Sequence, residues 1–484
     1  MKTFYGRDDL LQRFASLWRK PTSSFVVCRG RRRIGKSTLV KEFARRSQAR
    51  LLLFEGLAPN AEDPITNQDQ LDEFMRRLAR QSGRKNVRVD DWGDAFEELD
   101  KVIDDREKTV VLLDEISWMG EADRRFPSKL KNAWDDFFHE HPRLVVFVCG
   151  SVSAWIKKNI LGNKGFAGRT SLDVVVPELP VADCVRFWRG KTGRVPGREM
   201  LDVLSVTGGV PRYLEEIDPS LSADENLRLM CFSPEGYLFR DFAEIFSDIY
   251  GEKTGIKRDV LVKLADGPLT PSEIAAALGK ERNGHLSEIL EELETSGFVA
   301  NDGGKNPQTG RASRVGRYRL RDNYTRFFLK YVVPHSEEIR SGAYRFSTLD
   351  LLPGWSSIMG LQFENLVYAN LPQVLDRLGE NRRPFLSAAP YRCKRTTRRG
   401  GCQVDLLLQT EKAVYVIEIK RRKEIGEEVV AEVEKKLKAL PVSGNKARRA
   451  VLVYDGQLDP QVEASDFFDC IIDFQTLMRE KGYD

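Results

Sequence analysis

Short apolar runs recur along the first third of the chain, at Phe25–Cys28, near residue 51, at Thr109–Leu113, at Leu144–Cys149 and near residue 172. Continuous apolar runs of this length read as strands buried on both faces. Between them lie stretches with helical spacing, such as Thr38–Arg46. The alternation predicts an α/β domain over residues 1–177, a parallel sheet with helices on both faces. Residues 178–250 are helical by pattern, for example Val181–Arg189 and Glu199–Val206. Three further helices are predicted at Lys257–Leu264, Thr270–Leu278 and His285–Ser296, the second opened by Thr270–Pro271 with Ser272 and Glu273 in its first turn. Gly297–Phe298–Val299, a glycine-rich tip and the alternating Arg317–Arg321 then read as a two-stranded wing, so that residues 251–333 form a winged helix-turn-helix. Tyr324, Phe327, Phe328 and Tyr331 read as core packing, and residues 334–353 as a connector. In the last α/β domain, 354–484, the pattern gives a helix at Ser356–Asn370, strands at 403–408 and 413–419 around a polar turn at Gln409–Lys412, a helix at Glu424–Leu440, and strands at Ala450–Tyr454 and Phe467–Ile472.

Composition narrows the class. In 484 residues, 41% are hydrophobic and 31% charged, which excludes wholesale disorder. No apolar run approaches the roughly 20 residues that span a bilayer, so no membrane partner is expected. The opening MKTFYGRDDL lacks the apolar core of a secretory signal, and the expected location is the cytoplasm. Seven cysteines with no CxxC pair read as reduced, mostly buried thiols rather than zinc ligands. The net charge is 77 − 72 = +5, but it is unevenly spread. Lys305–Arg321 holds six basic residues and no acidic one, and Arg382–Lys423 holds twelve basic and three acidic residues. Such patches suit a polyanion, although a solvated face is the commoner fate of a charge run.

The chemistry is concentrated in a few motifs. The strand at Phe25–Cys28 feeds Gly30-Arg31-Arg32-Arg33-Ile34-Gly35-Lys36-Ser37-Thr38, the glycine, lysine and serine pattern of a phosphate-binding loop. Its glycines let backbone N–H groups turn toward phosphate oxygens at a helix N-terminus. Lys36 would reach the β- and γ-phosphates of ATP, and Ser37 would offer its hydroxyl to Mg²⁺. The apolar run Thr109–Leu113 ends in Asp114–Glu115. A buried strand ending in two carboxylates assigns Asp114 to the Mg²⁺ shell and Glu115 to the attacking water. Ser151, after the third strand, is either a polar sensor between metal and γ-phosphate or a helix N-cap, and both readings stand.

These segments carry a resemblance. FYGRDDLL, GRRRIGKS, LLDEIS, CGS, Gly168–Arg169 and GGVPRYLEEI at 208–217 occur in the order seen in prokaryotic archaeal-type ATPases, on the AAA+/STAND side of the P-loop superfamily. The resemblance runs along essentially the whole chain. It implies an ASCE/AAA+-like ATPase core with Gly6, Arg7 and Asp8 near the nucleotide, a helical lid at 178–250 carrying Gly208, Gly209 and Pro211, and Pro211 near the base. Arg169 or Arg212 would sense the γ-phosphate, a plain structural role being the alternative for each. A homo-oligomer is compatible with the resemblance, since AAA+ relatives form rings, while switch ATPases stay monomeric until activated.

The last domain has its own chemistry. Asp405 lies on the first of its two paired strands, and the second ends in Glu418–Ile419–Lys420. A hairpin brings both carboxylates to one end of a sheet, and Glu418 and Lys420 share a strand face. Two carboxylates bind a hard cation, Mg²⁺ or Mn²⁺, and Lys420 stabilises developing charge. Glu364, on the upstream helix, is a third ligand or a water positioner. The set resembles the PD-(D/E)xK nuclease core of restriction-endonuclease-like domains. Around it stand Arg382, Arg383, Arg392, Lys394, Arg395, Arg398, Arg399, Arg421, Arg422 and Lys423, with Phe385 and Tyr391 as candidates to stack on bases. The expectation is an ATP-hydrolysing switch coupled to a metal-dependent nuclease acting on nucleic acid, DNA in first place; the resemblance suggests defence or mobile-element biology. A regulator that binds DNA or protein with a silent nuclease-like domain is the rival, and a DNA-indifferent transport or chaperone ATPase a third.

Overall fold

The computed structural model describes residues 3–479 apart from 60–63, 152, 192, 243–253, 282, 313–315, 347, 381–383, 394–399 and 443. Arg314, Arg382, Arg383, Lys394, Arg395, Arg398 and Arg399 therefore lie outside the described residues, as do the end of the expected lid and the start of the expected winged helix. The chain forms two compact units, Met1–Pro177 and Glu178–Asp484.

The first unit is built on five strands, β1 (Ser24–Arg29), β2 (Arg50–Glu55), β3 (Thr109–Asp114), β4 (Leu144–Gly150) and β5 (Thr170–Val175), in the order β2-β3-β4-β1-β5. Every neighbouring pair is parallel. β3 and β4 are buried at every position, as uninterrupted apolar strands covered on both faces should be. One core gathers Phe25, Leu52, Phe54, Phe74, Trp92, Phe96 and Phe126, with Phe54 stacked on Phe74 at 4.1 Å. α1 (Asp8–Ala15) buries Leu10, Leu11 and Phe14, and α2 (Lys36–Arg46) starts directly from the phosphate-loop sequence.

His141 ties the lower rim of this sheet together. Its Nε2 lies 2.8 Å from Asp100 and its Nδ1 2.7 Å from Asp105. Burial disfavours the imidazolium, but the two carboxylates outweigh it and raise the pKa above the ordinary 6.5. A raised histidine pKa stabilises the fold fully below the unfolded value and loses that contribution as pH rises through the folded one. The melting temperature of the first unit is therefore expected to fall between about pH 6 and pH 8. His141→Gln should flatten that slope; an unchanged slope would remove His141 as its cause.

The second unit opens with short helices. The helix expected over Val181–Arg189 is an α-turn, Val181–Cys184, continued by a 3₁₀ turn, Val185–Trp188, and stopped by left-handed Arg189. α3 (Gly197–Thr207) follows. Three helices, α4 (Thr254–Leu264), α5 (Pro271–Ala277) and α6 (Gly284–Thr295), lead into the antiparallel pair β6 (Val299–Asn301) and β7 (Tyr318–Leu320). The start of α5 is a capping box: Thr270 accepts from Glu273 N–H, and the Glu273 carboxylate accepts from Thr270 N–H at 2.7 Å. Tyr324, Phe327, Phe328 and Tyr331 are buried. Segment 334–353 is tied down rather than loose, with Leu349 N–H donating to Asp224 and Arg228 capping Phe346.

α7 (Trp355–Ala369) precedes the C-terminal sheet of β8 (Ser387–Cys393), β9 (Cys402–Gln409), β10 (Ala413–Ile425), β11 (Ala447–Leu458) and β12 (Cys470–Asp473), ordered β12-β11-β10-β9-β8. β8, β9 and β10 pair antiparallel, while β10, β11 and β12 are parallel. β10 outruns its expected end at residue 419, because Arg421, Glu424 and Ile425 continue the ladder with β11. The following helix, α8 (Glu428–Ala439), accordingly starts later than the Glu424 expected.

That extension changes the role of Arg421. It was expected to face nucleic acid, but its side chain is only 4% exposed and is held by Asp202 of α3, by Ser205 Oγ at 2.6 Å and by Asp455 at 3.3 Å. Removing one partner of a buried ion pair strands the other charges, at a cost of roughly 3–5 kcal/mol. Arg421→Ala should therefore lower the denaturation midpoint of the second unit well below wild type, and a midpoint shift near zero would contradict the assigned role.

Candidate functional sites: a phosphate loop and a buried carboxylate cluster

The loop after β1 is shaped by two glycines. Gly30 has φ +151°, and a Cβ there would lie 2.9 Å from the Val176 carbonyl oxygen, a backbone atom that cannot yield. Gly35 has φ +84° and starts α2. Between them Ile34 is buried, Arg31, Arg32 and Arg33 are half-buried, and Arg32 stands 6.0 Å over the Trp118 ring. Gly6 and Arg7 approach from the chain start: the Arg7 guanidinium donates to Ile34 O at 2.6 Å, which holds the loop tip from behind. Asp8 pairs with Arg46 at the end of α2.

Lys36 is buried, and its Nζ donates to Gly30 O and Arg31 O, each at 3.0 Å. The ammonium thus lies inside the curve of the loop. Ser37 Oγ donates to Asp114 Oδ2, joining α2 to the end of β3, while Thr38 is exposed. Glu115 has a left-handed backbone, φ +46°, and its Oε2 accepts from Ser151 N–H at 3.1 Å and Ser151 Oγ–H at 2.9 Å. Ser151 therefore holds the Glu115 carboxylate at the end of β4. A hydroxyl beside a carboxylate is a hard-oxygen donor set, which fits Mg²⁺.

Arg169 is engaged with Asp135 through two bonds of 2.6 and 2.8 Å, and this pairing holds Asp135 down at about 2. Arg212, in the second unit, pairs with Glu215 and Glu216 and stacks on Tyr237 at 4.3 Å. Pro211 opens the turn Pro211–Leu214 in that unit, and Gly209 N–H donates to Glu178 at 3.0 Å.

The second candidate site sits on the C-terminal sheet. Asp405 Oδ2 accepts from Ile419 N–H at 3.0 Å, which ties β9 to β10 in the middle of the Glu418–Lys420 segment. Glu418 is fully buried and lies 2.8 Å from Lys420 Nζ and 2.5 Å from Lys436 Nζ. Lys420 and Lys436 also reach Glu432, at 2.9 and 3.3 Å. Burial raises the pKa of Asp405, Glu418 and Glu364 above the ordinary carboxylate range. Each also feels another of the three: Glu364 raises Asp405, Asp405 raises Glu418, and Glu418 raises Glu364. Burial works against Glu432 too, yet Lys420 and Lys436 hold it down at about 2. The three carboxylates are the right donor type for Mg²⁺ or Mn²⁺. Among the described residues, however, no three Asp, Glu, His or Cys side chains stand ready as a metal cage. A cation entering here must displace an ammonium from Glu418.

Sequence reasoning missed Lys436 and Glu432. They lie one helical turn apart on α8, a signal indistinguishable from an ordinary surface pair. It also missed Tyr368, whose hydroxyl donates to Asp405 O at 2.8 Å. The charge of the third helix of this group was missed as well. α6 (Gly284–Thr295) exposes Glu288, Glu291, Glu292 and Glu294 and carries neither Lys nor Arg, so it repels phosphate. Of the cations expected around the site, Arg422 is half exposed and pairs with Glu428, while Arg392 and Tyr391 line a cavity described below. Phe385 is exposed.

The five-stranded parallel sheet, the loop with its lysine and serine, and the Asp114–Glu115 pair define a P-loop ATPase domain of the α/β class. Residues 4–217 match the family model for an ATPase domain found predominantly in Archaea, so the matched stretch extends into the second unit. The uncharacterized protein MJECL04 of Methanocaldococcus jannaschii is 22% identical over 366 residues, 75% of this chain and 76% of that protein. Among solved structures, the Walker-type ATPase PABY2304 of Pyrococcus abyssi aligns at 17% identity over 67% of this chain and 96% of its own, with a TM-score of 0.50, a likeness of fold alone. The ORC2 protein of Aeropyrum pernix aligns at 14% identity over 69% of this chain and 93% of its own, with a TM-score of 0.41, too low to carry an argument. Among the described residues no helix is long and apolar enough to cross a membrane.

Proposed function

We propose that the chain is an ATP-hydrolysing switch whose second unit binds and cuts nucleic acid, with DNA as the first candidate. On the ATPase side, Lys36 and the loop N–H groups bind the phosphates, Ser37 and Asp114 hold Mg²⁺, and Glu115 takes the proton of the attacking water. Ser151 keeps Glu115 occupied until the γ-phosphate competes for it. On the second unit, α4–α6 with β6 and β7 form a winged helix, and the C-terminal sheet forms a PD-(D/E)xK-type core. Glu364, Asp405 and Glu418 hold the cation there, and Lys420 steadies charge at the phosphorus. A divalent cation supplies charge neutralisation at phosphate in both sites and an activated water in the second. The observation carrying this proposal is the bond from Ile419 N–H to Asp405, which brings Asp405, Glu418 and Lys420 to one point of the sheet.

One observation favours a second reading. Glu418 is bound to two lysines, so a site that never admits a cation would hold nucleic acid without cutting it. The two readings part in a test of Mg²⁺- or Mn²⁺-dependent cleavage of linear, circular and single-stranded DNA by the full chain. Cleavage supports the nuclease, whereas binding without cleavage under every condition leaves the second reading.

A further inference from the structure

We infer that the wing and the C-terminal sheet form one cleft that takes a single strand of nucleic acid, its phosphates on Lys305, Arg311 and Arg392 and its backbone led to Asp405 and Glu364. The inference rests on the nucleic-acid function proposed above and deepens it.

The cavity between these elements measures about 1060 Å³. Its wall is the hairpin tip closed by the bridge between Lys305 and Ala312, and its floor includes Glu364, Tyr368 and Asp405. The wing does not stand free of the sheet. Lys305 N–H donates to Ser387 Oγ of β8 at 3.2 Å, and Gln409 of β9 donates to Lys305 O at 2.6 Å. Beneath the tip, Arg319 of β7 pairs with Asp302 at 3.1 Å, donates to Asn365 of α7 and lies 4.2 Å over the Tyr368 ring. Tyr368 in turn donates to Asp405 O. Wing, helix and carboxylate strand are thus joined by a chain of polar contacts, the Arg319–Asn365 bond among them buried.

Charge selects the occupant. Arg317 is neutralised by Glu273 at 2.8 Å and Arg319 by Asp302. Lys305, Arg311 and Arg392 are exposed, and among the described residues none of the three has an ion pair. The lining therefore offers cations at the wing and edge-strand side and carboxylates at the floor. A small anion would use only the cations. A phosphodiester backbone spans both, with flanking phosphates on the cations and one linkage over the floor. The wing tip is fastened across to β8 and β9, so the strand passes beside a backbone strap, which a single strand clears more readily than a duplex. The acidic exposed face of α6 closes the usual alternative, duplex docking on that helix.

The test is fluorescence anisotropy of the full chain in EDTA, with a labelled oligonucleotide, single-stranded or annealed to its complement. The single strand should bind at least about tenfold more tightly than the duplex. The double variant Lys305→Glu, Arg311→Glu should weaken single-strand binding at least about tenfold and lower the slope of log K against log salt by about 1.4, two phosphate contacts at about 0.7 each. Arg392→Glu should act in the same direction. Lys280→Glu, an exposed cation outside the cavity, should bind as wild type does. All variants should melt as wild type does, since the substituted side chains are exposed. Wild-type binding by the cavity variants, or an equal grip on duplex, would overturn the cleft while leaving the nucleic-acid function standing. Failure of wild type to bind either oligonucleotide would overturn both.

Discussion

Lys36→Ala is expected to cut ATP hydrolysis by at least about a hundredfold, the usual cost of losing one preorganised charge donor at a phosphate or oxyanion. The reason lies in the loop. Lys36 Nζ is held between Gly30 O and Arg31 O, so its ammonium is buried inside the curve that would hold the phosphates. An exposed lysine would spend side-chain entropy on reaching a ligand. This one is already in place. Alanine removes the charge and also leaves two loop carbonyls without that donor, so weaker ATP binding should accompany the slower turnover. Phosphate release and nucleotide binding by the purified variant check both effects, with a melting curve to show that the sheet is intact. Turnover within about threefold of wild type would mean that Lys36 does not carry the chemistry.

Asp405→Asn should abolish divalent-dependent cleavage, again by at least about a hundredfold, while nucleic-acid binding in EDTA stays close to wild type. Asparagine keeps an oxygen for the Ile419 N–H, so the tie between β9 and β10 survives and only the charge is lost. Burial and the Glu364 charge both raise the Asp405 pKa, so removing its charge relieves an unfavourable interaction in the metal-free fold. Stability should therefore hold or rise while activity falls. That split separates a ligand from a structural carboxylate, whose neutralisation would move stability and activity together. A parallel loss of melting temperature and binding would assign Asp405 to the fold alone.

The sequence made some of this legible and hid the rest for physical reasons. The phosphate loop and Asp114–Glu115 were readable because their chemistry is local: strand, turn and helix start follow one another within a few residues. The neighbourhood of Asp405, Glu418 and Lys420 was readable because a hairpin has a fixed period. Arg421 was misread because its partners Asp202 and Asp455 lie on distant segments, and a basic run looks the same whether its members face water or a buried acid. The basic tip between β6 and β7 was legible, while the residues that fasten this hairpin, Ser387, Asn365 and Tyr368, come from later elements. The acidic face of α6 could have been read at the outset, since four glutamates at helical spacing with no cation oppose DNA as surely as a basic wing invites it. The end of β10 was placed too early because the charged run Lys420–Glu424 has no apolar alternation; pairing with β11 extends it.

The proposed function couples nucleotide turnover in the first unit to a carboxylate-centred nuclease in the second. The measurement that reaches it most directly is DNA cleavage by the full chain in Mg²⁺ or Mn²⁺, with and without ATP, comparing wild type, Asp405→Asn and Lys36→Ala. Wild-type cleavage should change with ATP, Asp405→Asn should not cleave, and cleavage by Lys36→Ala should no longer respond to ATP. Cleavage that persists in Asp405→Asn, or that responds to ATP equally in Lys36→Ala, would contradict it.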